Sequence, residues 1–266
     1  MKKVRIDQLL VSRGLAPSRE RAKAYVMERS VLADNELVIK AGELVSPDAS
    51  IVLKNKLQYV SRGGLKLEKM IKKHSIDLTE NVCLDIGAST GGFTDCMLQN
   101  GAQKVYAVDV GYGQLAWKLR NDTRVVVLER TNARYLTEKQ IPQGIDFASV
   151  DVSFISLTLI LPVLEKLLAP KGRAVTLIKP QFEAGKEKVG KKGVVKDFTV
   201  HQEVLQKIYN FCKDLGISIK DMEFSPIKGP EGNIEYLFYL QKGDRESVPL
   251  LKIDRLIKDT QMAFCK

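Results

Sequence analysis

Five apolar runs, VCLDIGA, VYAVDVG, VVVLER, FASVDVS and AVTLIKP, recur between residues 82 and 180, and stretches with helical spacing separate them. Short apolar runs bounded by turns predict strands, and strands that alternate with helices predict an α/β, Rossmann-like doubly wound parallel sheet. The later stretch ISIKDMEFSPIKGPEGNIEYLFYLQK, with Gly229-Pro230-Glu231-Gly232 between its halves, reads as a final hairpin adding an antiparallel strand. In such sheets ligands bind outside the carboxyl ends of the strands, so the residues that follow each run carry the functional information.

The first run ends in Gly87-Ala88-Ser89-Thr90-Gly91, which fits the G-x-S-x-G elbow of a serine hydrolase. That order of triad needs an acid and then a histidine downstream, and the only histidine after Ser89 is His201. His201 lies in DFTVHQEVLQKIYNF, whose spacing is that of an ordinary surface or half-buried helix. A dinucleotide fingerprint would place glycine at position 89, where backbone meets pyrophosphate, and serine stands there instead. The remaining reading is a loop for S-adenosylmethionine, which has no pyrophosphate to hold. Asp85, ending the first strand, would accept a hydrogen bond from the cofactor's amino-acid moiety, through water or directly. Gly87, Ala88, Ser89, Thr90, Gly91, Gly92 and Phe93 would form the cradle, the glycines letting backbone pass close to the ligand. Asp109, ending the second strand, can accept both ribose hydroxyls in one plane, and Asn132, after the third, can read the adenine edge.

Charge is unevenly placed along the 266 residues. The net charge is +10; residues 1–75 hold 16 Lys and Arg against 8 Asp and Glu, or +8, and residues 76–266 hold 26 against 24, or +2. A concentrated positive field points to a polyanion, with nucleic acid ahead of a membrane surface; the plainer alternative is a solvated face. Cys83, Cys96, Cys212 and Cys265 are far apart with no C-x-x-C pair and only two histidines in the chain, so neither zinc, nor any other metal site, nor a disulfide framework is expected. No window of about 18 residues lacks charge, and the amino terminus resumes charged residues too soon for a secretory signal, so the expected location is cytoplasmic.

Within the basic part, RIDQLL and RERAKAYV have helical spacing and flank Gly14-Leu15-Ala16-Pro17-Ser18, with Ser18 a suitable N-cap. Short hairpin strands are expected around Asp34-Asn35 and Ala41-Gly42. The pattern Arg5-x-Asp7, Leu9 or Leu10, Gly14-Leu15, Ser18-Arg19-x-x-Ala22 and Asp48-x-x-Ile51 resembles the alpha-L RNA-binding module. It departs at Arg29, where that pattern usually has glycine, and at Asn35-Glu36, where it usually has Asn-Gly. The resemblance implies RNA contacts by Arg5, Arg13, Arg19, Arg21 and Lys23, joined by Arg62 in the basic bridge SRGGLKLEKMIKKH; the alternative is a basic helical hairpin used only for protein contacts.

Methyl transfer requires an aligned acceptor that loses a proton. Enzymes acting on exocyclic base amines carry Asn or Asp followed by Pro-Pro and an aromatic after the fourth strand; this chain has Asp151-Val152-Ser153-Phe154. Those acting on cytosine carbon need a cysteine beside the site, and none of the four follows a strand end there. A sugar hydroxyl is the remaining common acceptor in RNA. It calls for a lysine with carboxylates and a second lysine about it, and Lys66, Asp151, Lys179 and Glu235 are the candidates. Together with SRGGLKL, DIGASTGGFTDCML, DVSFISL and LIKPQFE, that set makes residues 1 to about 242 resemble the TlyA family, an alpha-L module fused to an FtsJ-like ribose methyltransferase domain.

The resemblance implies a seven-stranded S-adenosylmethionine-dependent methyltransferase domain with a small N-terminal α+β RNA-binding domain, acting on the 2'-hydroxyl of cytidine in ribosomal RNA. In its terms Lys179 accepts the proton, Asp151 and Glu235 orient it, and Lys66 holds the acceptor hydroxyl. Ribosomal RNA or a ribosomal subunit is then the expected partner. Rival readings are an RNA-binding factor with an inactive pocket and, from another label of the same family, a membrane-active hemolysin, for which no spanning segment or strongly amphipathic membrane helix is evident. The expected divisions are 1–60 (RNA-binding), 61–75 (basic linker helix), 76–245 (methyltransferase) and 246–266 (a C-terminal helix docking on the sheet or another subunit). Residues 185–197, GKEKVGKKGVVKD, lack apolar periodicity and read either as a mobile loop that closes on RNA or as a disordered linker.

Overall fold

The computed structural model describes residues 3–27, 29–54, 58–229, 231–244 and 246–265; Pro230 of the expected late turn and Lys266 of the expected tail lie outside the described residues. Strand β1 (Val4–Arg5) runs into α1 (Ile6–Ser12), and α2 (Arg19–Met27) follows the Gly14–Ser18 loop. Ser18 Oγ accepts from the Arg21 amide at 3.2 Å, as an N-cap should. Ile6, Leu10, Ala22 and Val26, spaced along the inner faces of the two helices, close a small core with Val31. Three short strands, β2 (Val31–Ala33), β3 (Glu36–Leu37) and, after β4 (Leu44–Val45), β5 (Ile51–Leu53), form a sheet with β2 in the middle, while β4 pairs with β1.

Both departures from the alpha-L pattern have a structural outcome. Asp34 and Asn35 turn the β2–β3 hairpin, both left-handed at φ 49° and 68°, so the turn lies one residue earlier than Asn35-Glu36. Arg29 adopts φ 52°, so the backbone conformation that glycine would take there persists under an arginine, at a cost on the order of 1 kcal/mol.

Helix α3 (Gly63–His74) leads into the main sheet: β6 (Val82–Ile86), α4 (Gly92–Gln99), β7 (Lys104–Val108), α5 (Trp117–Arg120), β8 (Val125–Leu128), β9 (Ile145–Val150), α6 (Leu161–Leu167), β10 (Leu168–Ile178), α7 (Pro180–Glu183), α8 (Phe198–Asp214), β11 (Ile217–Phe224), β12 (Tyr236–Lys242) and α9 (Lys252–Phe264). The strand order is β11-β12-β10-β9-β6-β7-β8, and only β12 runs against the others. The late pair therefore supplies two strands, with the antiparallel one inserted between β11 and β10. Helices cover both faces, which is why the central strands read as unbroken apolar runs. From β6 the chain builds outward through β7 and β8, then crosses back to place β9 on the other side of β6. That reversal opens a crevice at the carboxyl ends of β6, β7 and β9.

The C-terminal helix docks as expected: Ile253, Leu256, Ile257 and Thr260 are buried, and α9 packs on α8 and β11. Asp221 of β11 joins it to α3, because its carboxylate meets Lys73 and His74 of α3, the latter at 2.8 Å, and Lys252 of α9. In the segment 185–197, expected to be a mobile loop or a disordered linker, Val195 is buried and its backbone bonds to the side chains of Asn233 and His201.

Candidate active site

The crevice holds a cleft of about 340 Å³ lined by Gly87, Ser89, Asp109, Asn132, Asp151 and the loop after it. Gly87 has φ 85°, and a Cβ there would lie 2.3 Å from the Asp151 carbonyl oxygen, so the turn after β6 and the loop after β9 touch through backbone alone. Asp109 accepts from the Ser89 amide at 2.8 Å and the Gly111 amide at 2.7 Å, bracing the two loops that enclose the cleft. Each of its oxygens keeps lone-pair capacity for a further donor, as a ribose diol requires. Asn132 caps the helical turn Ala133–Tyr135 by accepting from the Arg134 amide, which leaves its amide nitrogen for a ligand edge. A carboxylate at the second strand end, a backbone turn without side-chain bulk and a polar amide suit an adenosine-bearing cofactor.

The expected cradle is narrower than the sequence suggested. Asp85 is fully buried: Oδ2 accepts from the Thr94 amide and hydroxyl at 2.9 and 2.6 Å, and Oδ1 from Ser149 Oγ at 2.9 Å, so it braces α4 against β9 instead of meeting a ligand directly. Burial raises its pKa to about 6, against the pull of those hydrogen bonds. Ala88, Thr90, Gly91, Gly92 and Phe93 also stand behind the lining. Gly91, at φ 93°, faces Leu115 and Leu119; a Cβ on Gly92 would lie 2.9 Å from the Gly64 amide nitrogen, so its bareness lets α4 meet α3; Phe93 is buried. Ser89 also has a left-handed backbone, φ 49°, as an elbow would, but its hydroxyl donates to Gln114 at 3.3 Å. His201 is buried between Tyr236 Oη, 2.7 Å away, and the Val195 carbonyl, with burial lowering its pKa, so no triad forms.

Beside the cleft the four candidates for proton chemistry form one linked array. Lys66 Nζ lies 2.6 Å from Glu235 Oε2 and 3.7 Å from Asp151 Oδ2, and Lys179 Nζ lies 2.5 Å from Asp151 Oδ1 and 3.0 Å from Ser153 Oγ. Lys66, Lys69 and Lys73 share one face of α3 at spacings of three and four; Lys69 and Lys73 pair with Glu223 and Asp221 of β11, which fixes the helix and with it Lys66. Lys66 and Lys179 are both less than a tenth exposed. Burial opposes the charge on Lys66, yet the Asp151 and Glu235 carboxylates outweigh it and hold its pKa above the ordinary lysine range. Burial likewise opposes ionisation of Asp151, and Lys66 and Lys179 outweigh it, so its pKa is lowered. The result is a fixed ammonium and a second amine around one shared carboxylate.

Sequence reasoning passed over Gln114, Thr131, Ser153 and Phe154, all in the cleft wall. Phe154 is 91% exposed with φ 63°, and its ring lies 4.8 Å from that of Phe182, next to Lys179. The signal was present in Asp151-Val152-Ser153-Phe154, where an aromatic follows the fourth strand. Glu183 fastens this loop to α7, accepting from Ser156 Oγ and the Leu157 amide at 2.7 Å each.

Four arginines of the first sixty residues also have partners within that module. Arg5 and Arg19 both reach the buried Asp7, at 2.9 and 3.2 Å; Arg13, at the end of α1, donates to the carbonyls of Pro47 and Ala49; and Arg21 donates to the Tyr59 carbonyl at 2.6 Å. Their guanidinium groups hold the module together as well as charging it. Lys23 is exposed, and Arg62 is half-buried at the start of α3.

Comparison with known proteins agrees with this arrangement. Residues 59–242 match the FtsJ-like methyltransferase family. The Bacillus subtilis protein YqxC is 51% identical over 97% of this chain and 94% of its own length. The 16S/23S rRNA (cytidine-2'-O)-methyltransferase TlyA of Mycobacterium tuberculosis is 43% identical, covering 90% of each chain. A solved structure from Streptococcus thermophilus superposes with a TM-score of 0.80 at 45% identity, covering 100% of this chain and 98% of the other. With the seven-stranded sheet, the strand-end cleft and these likenesses in hand, the chain belongs to the FtsJ-like methyltransferase family.

Proposed function

We propose that this protein uses S-adenosylmethionine to methylate a ribose 2'-hydroxyl of ribosomal RNA, with cytidine as the target nucleoside. The observation that carries this reading is the Glu235–Lys66–Asp151–Lys179 array beside the cleft. When bound, the cofactor supplies an electrophilic methyl carbon on a cationic sulfur. In the cleft Asp109 would hold the cofactor's ribose hydroxyls, Asn132 its adenine edge, and Ser89 and Gly87 would supply close backbone. Lys66, kept charged by two carboxylates, holds the acceptor oxygen by hydrogen bond and stabilises negative charge as it develops there. Lys179 takes the 2'-hydroxyl proton, freeing a lone pair on that oxygen for the methyl group that the cofactor would supply. Asp151 forms an ion pair with each lysine and sets their separation. Phe154 offers an exposed ring against which the target base can stack.

In this reading residues 1–60 bring the enzyme to folded RNA, 61–75 carry Lys66, 76–245 hold the chemistry and 246–266 brace α3 through Asp221. The TlyA likeness over 90% of the chain supports the RNA substrate. The test is isothermal titration with S-adenosylmethionine, followed by transfer of a labelled methyl group to purified ribosomal subunits. Binding without transfer to RNA would favour a non-catalytic RNA-binding factor, and absence of binding would remove the enzyme reading.

A further inference from the structure

The stretch 185–197 supplies no residue to the cofactor cleft, yet its backbone is closed by hydrogen bonds. The Gly190 amide donates to the Val194 carbonyl at 3.1 Å and the Gly193 amide to the Gly190 carbonyl at 2.8 Å, with Gly193 left-handed at φ 71°. This closed turn carries Lys191 and Lys192, both exposed, at its tip. Beneath it, buried Asn233 donates to the Gly193 carbonyl at 2.8 Å and accepts from the Val195 amide at 3.1 Å, and His201 meets the Val195 carbonyl at 3.0 Å. Both ends of one buried carboxamide are thus committed to this turn.

The charges on the held backbone are largely uncompensated. Five lysines, Lys186, Lys188, Lys191, Lys192 and Lys196, face only Glu187 and Asp197 within the segment. Lys188 pairs with Glu203, and Asp197 is occupied as the N-cap of α8, accepting from the Thr199 amide at 2.9 Å and its hydroxyl at 2.8 Å. Lys186, Lys191, Lys192 and Lys196 are exposed and have no ion-pair partner among the described residues. By contrast Lys69 and Lys73 of α3 and Lys252 of α9 are all paired.

The position of the turn gives these cations a purpose. The segment begins six residues after Lys179, and the carboxamide beneath it belongs to the second residue before Glu235, so its placement is tied to both ends of the catalytic array. A solvated face needs no buried clamp. Exposed lysines on a backbone tied to Asn233, two positions before Glu235, fit phosphate contacts, which set the register of a strand without reading its sequence.

We infer that the 185–197 turn is a phosphate clamp for the RNA strand that carries the target ribose. Lys191 and Lys192 meet backbone phosphates from the tip, and Asn233 sets the position of the tip relative to Glu235. The inference rests on the RNA reading above. To test it, the affinity of the full chain for purified ribosomal subunits is measured between about 50 and 200 mM salt for the wild type and for K191Q/K192Q. Two lost phosphate contacts should weaken binding about tenfold at the lower salt and flatten the log–log salt slope by about 1.4 to 1.8, with S-adenosylmethionine affinity unchanged. A slope equal to that of the wild type overturns the clamp and leaves the RNA reading standing. Salt-independent or absent binding by the wild type overturns the RNA reading, and the clamp with it.

Discussion

Lys66 Nζ and Glu235 Oε2 lie 2.6 Å apart across 169 positions of chain, and both groups are buried. Removing the lysine would strand a buried carboxylate and threaten the fold, so Glu235→Gln is the gentler probe. We expect it to lower methyl transfer by about 10²- to 10⁴-fold in single-turnover assays while cofactor affinity stays within severalfold. A rate within threefold of wild type would remove Glu235 from the mechanism.

Gly87 is where the two loops around the cleft meet. In Gly87→Ala the new methyl must displace the Asp151 carbonyl, 2.3 Å away, from a left-handed backbone that already disfavours alanine. Displacing Asp151 disturbs both lysines at once. The expected outcome is a folded protein with a melting temperature several degrees lower and with cofactor binding and transfer both reduced at least tenfold. Unchanged calorimetric binding would show that the loops do not need this contact.

Ser89→Ala separates the cradle from the elbow. The hydroxyl makes one bond, to Gln114, whereas the backbone amide carries the link to Asp109 and survives the substitution. Cofactor affinity should fall less than about tenfold, a loss on the order of 1 kcal/mol, with transfer continuing. Complete loss of turnover with cofactor still bound would restore a chemical role to the serine.

The parallel sheet, the strand-end positions of Asp109, Asp151 and Lys179, and the two N-terminal helices were legible because each depends on local periodicity and turn chemistry. Glu235 and Lys66 were legible as candidates, but their contact was not, since nothing local records that β12 inserts between β10 and β11. The inward turn of Asp85 was hidden for a related reason: a carboxylate at a strand end can face the crevice or the neighbouring strand, and its register lies opposite Ser149. Basic residues were visible as charge, whereas the internal carbonyls and carboxylate that occupy Arg5, Arg13 and Arg19 depend on tertiary packing. The hydrogen bonds that tie 185–197 to the sheet domain escaped notice because they come from Asn233, some forty positions away.

Asp7 links the N-terminal fold to pH. Hydrogen bonds from Arg5, working against burial and aided by Arg19, lower its pKa to about 2. A carboxyl with a folded pKa below its unfolded value stabilises fully above about pH 4, and that contribution is lost as pH falls through 2. With both guanidinium groups partly in water, Asp7→Asn should cost about 1 to 2 kcal/mol at neutral pH, and the difference from wild type should shrink between pH 4 and pH 2. Urea titrations at the two ends of that range check the sign; a difference that grows on acidification would contradict it.

The central claim is that Lys179 takes the proton from a ribose hydroxyl of ribosomal RNA. The most direct measurement incubates purified protein with S-adenosylmethionine and ribosomal subunits, then maps 2'-O-methylated nucleotides in the RNA for the wild type and for Lys179→Ala. The account predicts methylation of cytidine ribose by the wild type, and its loss in Lys179→Ala with cofactor affinity within severalfold. Methylation on a base atom, or undiminished ribose methylation by Lys179→Ala, would contradict it.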